Sequence, residues 1–169
     1  MPRYLIDSAA SRLLVTARSS IHDTETRWRQ LAGTIDAHPS DLAGSPAAAE
    51  VVVDMTTADA GDFLRNRKLR KDLELERHRE ARFRLQRLRD VAARGAGSFA
   101  ATADGTISWH GREVAVSASG DGTFSGDDLR ATARFDLDVR AFGVQPPRFL
   151  MFKVEDVVAV EVSLVAKRD

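Results

Sequence analysis

The sequence has no cysteine among its 169 residues, which excludes disulfide bonds, thiolate nucleophiles and cysteine-bound metals. It also lacks any apolar run near the roughly 20 residues that a membrane-spanning helix needs. Its net charge is zero, with 25 basic and 25 acidic side chains, so the whole molecule has no general attraction to nucleic acid or anionic membranes. The N-terminus shows no charged start followed by an apolar stretch, which predicts a cytoplasmic protein without a signal peptide.

Sequence motifs for catalysis are missing as well. There is no Gly-x-Ser-x-Gly elbow, no phosphate-binding Gly-x-x-x-x-Gly-Lys and no Gly-x-Gly-x-x-Gly. The four histidines lack the roughly three- to five-residue spacing of paired zinc ligands; they are His22, His38, His78 and His110. The sequence therefore predicts no catalytic residue, no metal and no cofactor.

Apolar and polar residues alternate over most of the chain. From Leu129 to Arg140 the odd positions are apolar and the even positions polar, as in a strand with one face toward an apolar interior and one toward water. Similar, shorter runs cover residues 12–18, 30–37, 50–55, 81–88, 98–103, 106–109, 113–119 and 156–165. These runs predict about eight or nine strands of an antiparallel sheet.

Turn-forming residues separate the alternating runs. Asp104-Gly105 is the strongest hairpin signal, because two residues of this type join strands in the common two-residue turns. Further turns are predicted at residues 38–41, 95–97, 110–111 and 120–122, and a proline-containing loop at residues 142–147.

One segment departs from the two-residue period and predicts a short helix at about residues 62–73. It has no β-branched residue, and Leu69 and Leu73 are spaced as on one helix face. Asp62 is suited to the N-cap or first turn of this helix.

These elements together predict an all-β fold in a single domain over residues 1–169. Closing about eight antiparallel strands into a barrel removes the edges that an open sheet would expose. A barrel of about that size is either filled by side chains or holds one small ligand. Inward-facing alanines leave room for a channel at Ala17, Ala101, Ala131 and Ala133.

The basic side chains are concentrated in residues 65–94, which carry 12 basic and 5 acidic residues. Two interpretations remain open for this arginine-rich segment. Its side chains either form a solvated helix face and an outward strand face, or form a rim that attracts an anionic group.

Five short motifs occur in an order that resembles the YceI-like family. They are Tyr4-Leu5-Ile6-Asp7 followed by Ser11, then Leu31-Ala32-Gly33, Ala60 through Asn66, Gly105 through Gly111, and Arg140-Ala141-Phe142-Gly143-Val144. The resemblance extends over nearly the whole chain. It implies a lipocalin-like barrel that binds polyisoprenoids or similar long apolar molecules.

The leading hypothesis is a non-enzymatic carrier that holds a long-chain isoprenoid or acyl lipid inside the barrel. Arg65 and Arg67 are candidates for contact with an anionic headgroup. The candidate residues for the apolar chain are Ile35, Val53, Phe83, Leu85, Ile107, Trp109, Leu129, Ala131, Ala133, Phe135 and Leu137.

Two alternatives accompany the carrier hypothesis. In one, the barrel is closed and dry, and the 65–94 segment docks an acidic protein or nucleic acid, with steep salt dependence. In the other, the protein is an enzyme whose site carries no recognisable motif. Zero net charge removes repulsion between copies, which permits a homodimer.

Overall fold

The structure is a computed structural model that describes residues 1–19, 22–145, 148–149, 152–153 and 155–169. Over these residues it contains twelve strands, one α-helix, α1 (Phe63–Asp72), and two 3-10 turns, Met55–Thr57 and Val139–Phe142. The strands are β1 (Arg3–Ile6), β2 (Arg12–Ala17), β3 (Thr24–Trp28), β4 (Leu31–Asp36), β5 (Ala48–Asp54), β6 (Glu80–Gly95), β7 (Ser98–Trp109), β8 (Arg112–Ser125), β9 (Asp128–Asp138), β10 (Arg148–Phe149), β11 (Phe152–Lys153) and β12 (Val157–Arg168). In the part of the chain so described, no helix has the length and apolar character to cross a membrane.

Ten of the strands form one antiparallel sheet that closes on itself. The sheet order is β1-β4-β5-β6-β7-β8-β9-β12-β2-β3, and β12 also pairs with β1. Along β12, Val160 lies opposite Val15 of β2 and Ala166 opposite Ile6 of β1. Strands β1 and β2 both pair with the same edge of β12, and their own partners are β4 and β3. The successive strands β1–β2 and β3–β4 therefore each take the place of one strand, which leaves eight strand positions around the barrel. The predicted all-β, lipocalin-like barrel of about eight strands with one short helix is thus confirmed.

The alternation in β9 follows the predicted faces. Its odd-numbered side chains point into the barrel from Leu129, 3% exposed, to Leu137, whereas Arg130, Arg134 and Asp136 are exposed. A strand that is apolar on one face and charged on the other gains burial energy only when the apolar face points inward.

Helix α1 confirms the predicted helical segment and its N-cap. The Asp62 carboxylate accepts a hydrogen bond from the Arg65 backbone N–H at 2.9 Å. At the other end, the N–H groups of Glu74 and Leu75 donate to the carbonyls of Lys71 and Arg70, which is the Schellman arrangement. Leu69 and Leu73 are buried at one end of the barrel, so the helix covers that end.

The prediction of a hairpin at Asp104-Gly105 is wrong. Strand β7 continues through both residues and pairs with β6 on one side and β8 on the other. Gly105 faces the barrel interior, where a Cβ atom would lie 2.4 Å from Cε2 of Phe83. The glycine therefore accommodates a neighbouring ring rather than a chain reversal.

The predicted turn at residues 120–122 is wrong for the same reason. Gly120 and Gly122 lie within β8, and a Cβ at Gly122 would lie 2.7 Å from Cζ of Phe99. The true reversals on either side of β8 are the two-residue turns at residues 110–111 and 126–127. The reversals predicted at residues 95–97 and 110–111 are present, whereas Pro146 and Pro147 of the predicted proline-containing loop lie outside the described residues.

Candidate ligand-binding cavity

The barrel encloses a cavity of about 320 Å³ whose wall is almost entirely apolar. Leu69 and Leu73 of α1 line it at one end, and Leu42 and Ala47 from the β4–β5 connection also contribute to its wall. This volume falls within the range of small-molecule pockets, at about 300–1,000 Å³. The space exists because many inward positions carry no large side chain; these include Ala101, Ala103, Ala118, Gly120, Ala131 and Ala133.

All eleven apolar residues singled out from the sequence lie on the wall of this cavity. Phe83 and Leu85 come from β6, Ile107 and Trp109 from β7, and Ile35 and Val53 from β4 and β5. The β9 residues complete the set: Leu129, Ala131, Ala133, Phe135 and Leu137. Their position is thus established, and their role in ligand binding remains a prediction.

Arg65 and Arg67 are not among the described residues that line the cavity. Arg65 forms an ion pair at 3.4 Å with Asp62, the N-cap residue of α1, and Arg67 is exposed. Neither guanidinium reaches the interior of the barrel, so the geometry gives no support to a headgroup contact there.

Strand β3 contributes cavity residues that the sequence analysis missed. Thr24, Thr26 and Trp28 alternate with exposed residues and face inward. The Trp28 indole donates a hydrogen bond to the Met55 carbonyl at 3.1 Å, whereas no hydrogen bond from either threonine hydroxyl to another described residue is present. The strand begins with a polar, a charged and a polar residue, so its apolar–polar alternation is weak. The alternation of threonine and tryptophan with charged residues over positions 24–28 nevertheless indicates a strand with one inward face.

A family model described as the YceI-like domain matches residues 4–166. The chain belongs to the YceI-like family. No curated protein matches its sequence at a significant level.

Two solved structures share the fold of this YceI-like chain over nearly its whole length. A polyisoprenoid binding domain from Saccharophagus degradans is 15% identical with a TM-score of 0.77, and the match covers 98% of each chain. BcnA of Burkholderia cenocepacia is 19% identical with a TM-score of 0.77, over 96% of this chain and 99% of that one. A YceI protein from Campylobacter jejuni is more distant, at 10% identity and a TM-score of 0.65 over 85% and 84% of the two chains.

The basic side chains of the arginine-rich 65–94 segment lie on the outside of the YceI-like barrel, and nine of the twelve have an acidic neighbour within 4.0 Å. On the sheet, Arg87 and Arg89 both contact the Asp104 carboxylate, at 2.9 and 2.8 Å. Arg82 and Arg84 share Glu50 in the same way. Because these guanidinium groups already have carboxylate partners, much of their charge is compensated within the fold. Among the described residues of the segment, those without an acidic partner within 4.0 Å are Arg67, Lys71 and Arg94.

Asp104 is the centre of the largest of these networks. Hydrogen bonds from the Ser117 hydroxyl at 2.6 Å and from Arg89 and Arg87 hold the pKa of its carboxyl well below the usual range. Each of these donors favours the ionised form. The carboxylate therefore links β6, β7 and β8 on the outer face of the sheet. The hypothesis that this surface docks an acidic partner stays a prediction.

Proposed function

We propose that this protein is a non-enzymatic carrier that holds a long apolar molecule of the isoprenoid or acyl-lipid class inside its barrel. The single observation that carries the proposal is the apolar cavity, about 320 Å³ in volume, enclosed by the inward faces of the strands. The fold likeness to a domain described as polyisoprenoid binding, from Saccharophagus degradans, supports the same class of ligand.

The energetics of such binding come from the cavity wall. Each methylene transferred from water contributes about 0.8 kcal/mol. Ten methylenes therefore contribute about 8 kcal/mol, which is comparable with the roughly 4–15 kcal/mol cost of lost translational and rotational freedom on association. Burial of the chain is therefore the main source of affinity, and it needs no catalytic residue.

The few polar groups of the wall restrict the chemistry of the buried part of the ligand. Arg82 is bound to Glu50 on the outer face, Asp121 is exposed, and Thr132 is an even-numbered residue of β9, on the outward face of that strand. The inward-facing hydroxyls of Thr24 and Thr26 are therefore the polar groups that the described wall offers to a ligand. Hydroxyls can bond a ligand hydroxyl or carbonyl but cannot compensate a buried charge, so the enclosed part of the ligand is uncharged.

Native mass spectrometry of freshly purified protein, followed by organic extraction, tests the proposal directly. A stoichiometric long-chain lipid in the extract supports it and identifies the class. If the protein is free of lipid and also fails to bind added palmitate or geranylgeraniol, after extraction and in detergent-free buffer, the carrier proposal is refuted.

A matched pair of variants on β9 separates the cavity from the barrel surface. Phe135→Asp places a carboxylate on the cavity wall and should lower uptake of palmitate and geranylgeraniol at least tenfold, because burial of an unpaired charge is strongly unfavourable. Arg130→Asp places the same group on the exposed face of the same strand and should leave uptake unchanged. Undiminished uptake by a folded Phe135→Asp protein contradicts a binding site inside the barrel.

A further inference from the structure

Glu74, His78 and His110 meet outside the cavity, where the C-terminal end of α1 adjoins the β7–β8 turn. Potential ligand atoms, one from each residue, all lie within 4.8 Å of one another. The Nε2 atom of His78 is 4.0 Å from Oε2 of Glu74, and the two imidazole rings stack with centroids 3.7 Å apart. The spacing of the histidines in the sequence argued against a paired site, yet the fold joins two of them with a carboxylate.

Two of the three residues occupy backbone conformations that glycine and asparagine favour. Glu74 has φ of 51° at the residue after the helix C-cap, and His110 has φ of 53° in the two-residue turn before Gly111. A side chain with a Cβ atom costs about 1 kcal/mol or more in this left-handed region. The chain accepts this cost at both positions, and the two side chains point to the same spot.

Two hydrogen bonds to backbone carbonyls hold the histidines of the cluster in place. The His110 Nε2 atom lies 2.8 Å from the Leu73 carbonyl. Because a carbonyl can only accept, Nε2 carries the proton and Nδ1 keeps its lone pair. A backbone carbonyl that receives one ring N–H of a histidine is the usual support of a metal-binding histidine. The His78 backbone is fixed as well, since its carbonyl accepts a hydrogen bond from Nε1 of Trp109 at 3.1 Å.

We propose that Glu74, His78 and His110 bind a divalent first-row transition metal of the Zn²⁺ type. Two imidazoles and one carboxylate, with water at the remaining position, are a common ligand set for zinc. In a tetrahedral site with bonds of about 2.1 Å the ligand atoms are about 3.4 Å apart. Each pair of ligand atoms therefore closes by at most about 1.4 Å on binding, and the stacked rings turn so that their lone pairs converge.

One neighbour competes with the metal. Arg77 forms an ion pair with Glu74 at 3.3 Å, and both side chains are on the surface. The metal displaces this weak, solvent-exposed pair. Replacement of Arg77 by alanine should therefore strengthen zinc binding.

Isothermal titration of tag-free protein with ZnCl₂ tests the site, with histidine variants as probes. Wild type should bind one equivalent. His78→Ala and His110→Asn should each weaken binding at least tenfold, and asparagine keeps the left-handed turn accessible. His38→Ala is the matched control, because His38 is exposed in the β4–β5 connection, and it should bind zinc as wild type does.

Glu74→Gly separates a metal site from a merely structural cluster. Glycine relieves the left-handed backbone and should raise the midpoint of thermal unfolding, while the lost carboxylate weakens zinc binding. These opposite changes support the proposal. It is overturned if wild type takes up no zinc at about 100 µM, or if binding is unaffected in both histidine variants.

Discussion

Substitution of Gly105 by alanine should destabilise the barrel severely for a single methyl group. The added Cβ would lie 2.4 Å from Cε2 of Phe83 and 2.5 Å from the Arg84 carbonyl oxygen. Ordinary van der Waals contacts of such atoms are about 3.5–4.0 Å, so the added Cβ is about 1 Å or more too close to a neighbour on two sides.

The two contacts differ in how they can be relieved. The Phe83 ring can turn toward the cavity, which has room. The Arg84 carbonyl belongs to β6, which is held on both sides by β5 and β7, so it can move only with the backbone of the sheet. Overpacking of this kind costs about 1–3 kcal/mol, and the rigid carbonyl places the expected loss of unfolding free energy near the upper end, at about 3 kcal/mol.

Urea unfolding followed by circular dichroism measures this loss, with Gly120→Ala as the matched control. Gly120 is also an inward glycine in a strand interior, but the nearest atom to its added Cβ is the Thr132 carbonyl oxygen at 3.1 Å and the next is 3.7 Å away. Alanine there also restricts the unfolded chain, a gain of about 0.4–1 kcal/mol. The control should therefore change stability by less than about 1 kcal/mol.

The reasoning is refuted if Gly105→Ala stays within about 0.5 kcal/mol of wild type, the usual scatter of neutral surface substitutions. A second variant identifies the source of the cost. Adding Phe83→Leu to Gly105→Ala should recover only part of the loss, because the Arg84 carbonyl remains in place. Full recovery would show that the ring alone sets the cost.

Three further substitutions have defined expected results. Asp104→Asn should reduce the loss of stability at acid pH. Because the pKa of Asp104 is lowered in the fold, its carboxylate stabilises the protein above about pH 4, and this stabilisation is lost as the pH falls further. Equal slopes of the urea midpoint against pH in both proteins would contradict the network. Trp109→Phe removes the hydrogen bond to the His78 carbonyl and should cost about 1 kcal/mol in the same denaturation assay, whereas an unchanged midpoint would show that the bond adds nothing. Asp62→Ala removes the N-cap of α1 and should cost about 1 kcal/mol; Asp62→Asn, which still accepts the bond, is its control.

The sequence was sufficient for the faces of most strands and for the helix. Alternation identifies inward residues because side chains on a strand point to opposite sides in turn, and β9 shows this over its whole length. The segment Phe63–Asp72 was identifiable because it lacks β-branched residues and has an acidic cap. Local physics decides both features, so no distant part of the chain was needed.

Glycine and short strands limited the prediction elsewhere. Gly105 and Gly122 each make room for an aromatic ring on the neighbouring strand, Phe83 or Phe99. The local sequence pattern does not show which residue lies on that neighbouring strand. A glycine after an aspartate resembles a turn in either case. In the same way, the threonines of β3 have the polarity of outward-facing residues, and only the closed sheet shows that they face inward.

Register is the step that the sequence pattern cannot supply, and it places the histidine cluster. Slipping β6 by two residues against β7 would keep every apolar side chain facing the cavity. It would also carry His110 about 7 Å along the strand from His78, too far for a shared ligand. The observed register puts Gly105 opposite Leu85 with the Phe83 ring beside it. At this alignment Gly105 lies against both the Phe83 ring and the Arg84 carbonyl, so the position at which alanine is costly also favours the register that brings His110 to the end of α1.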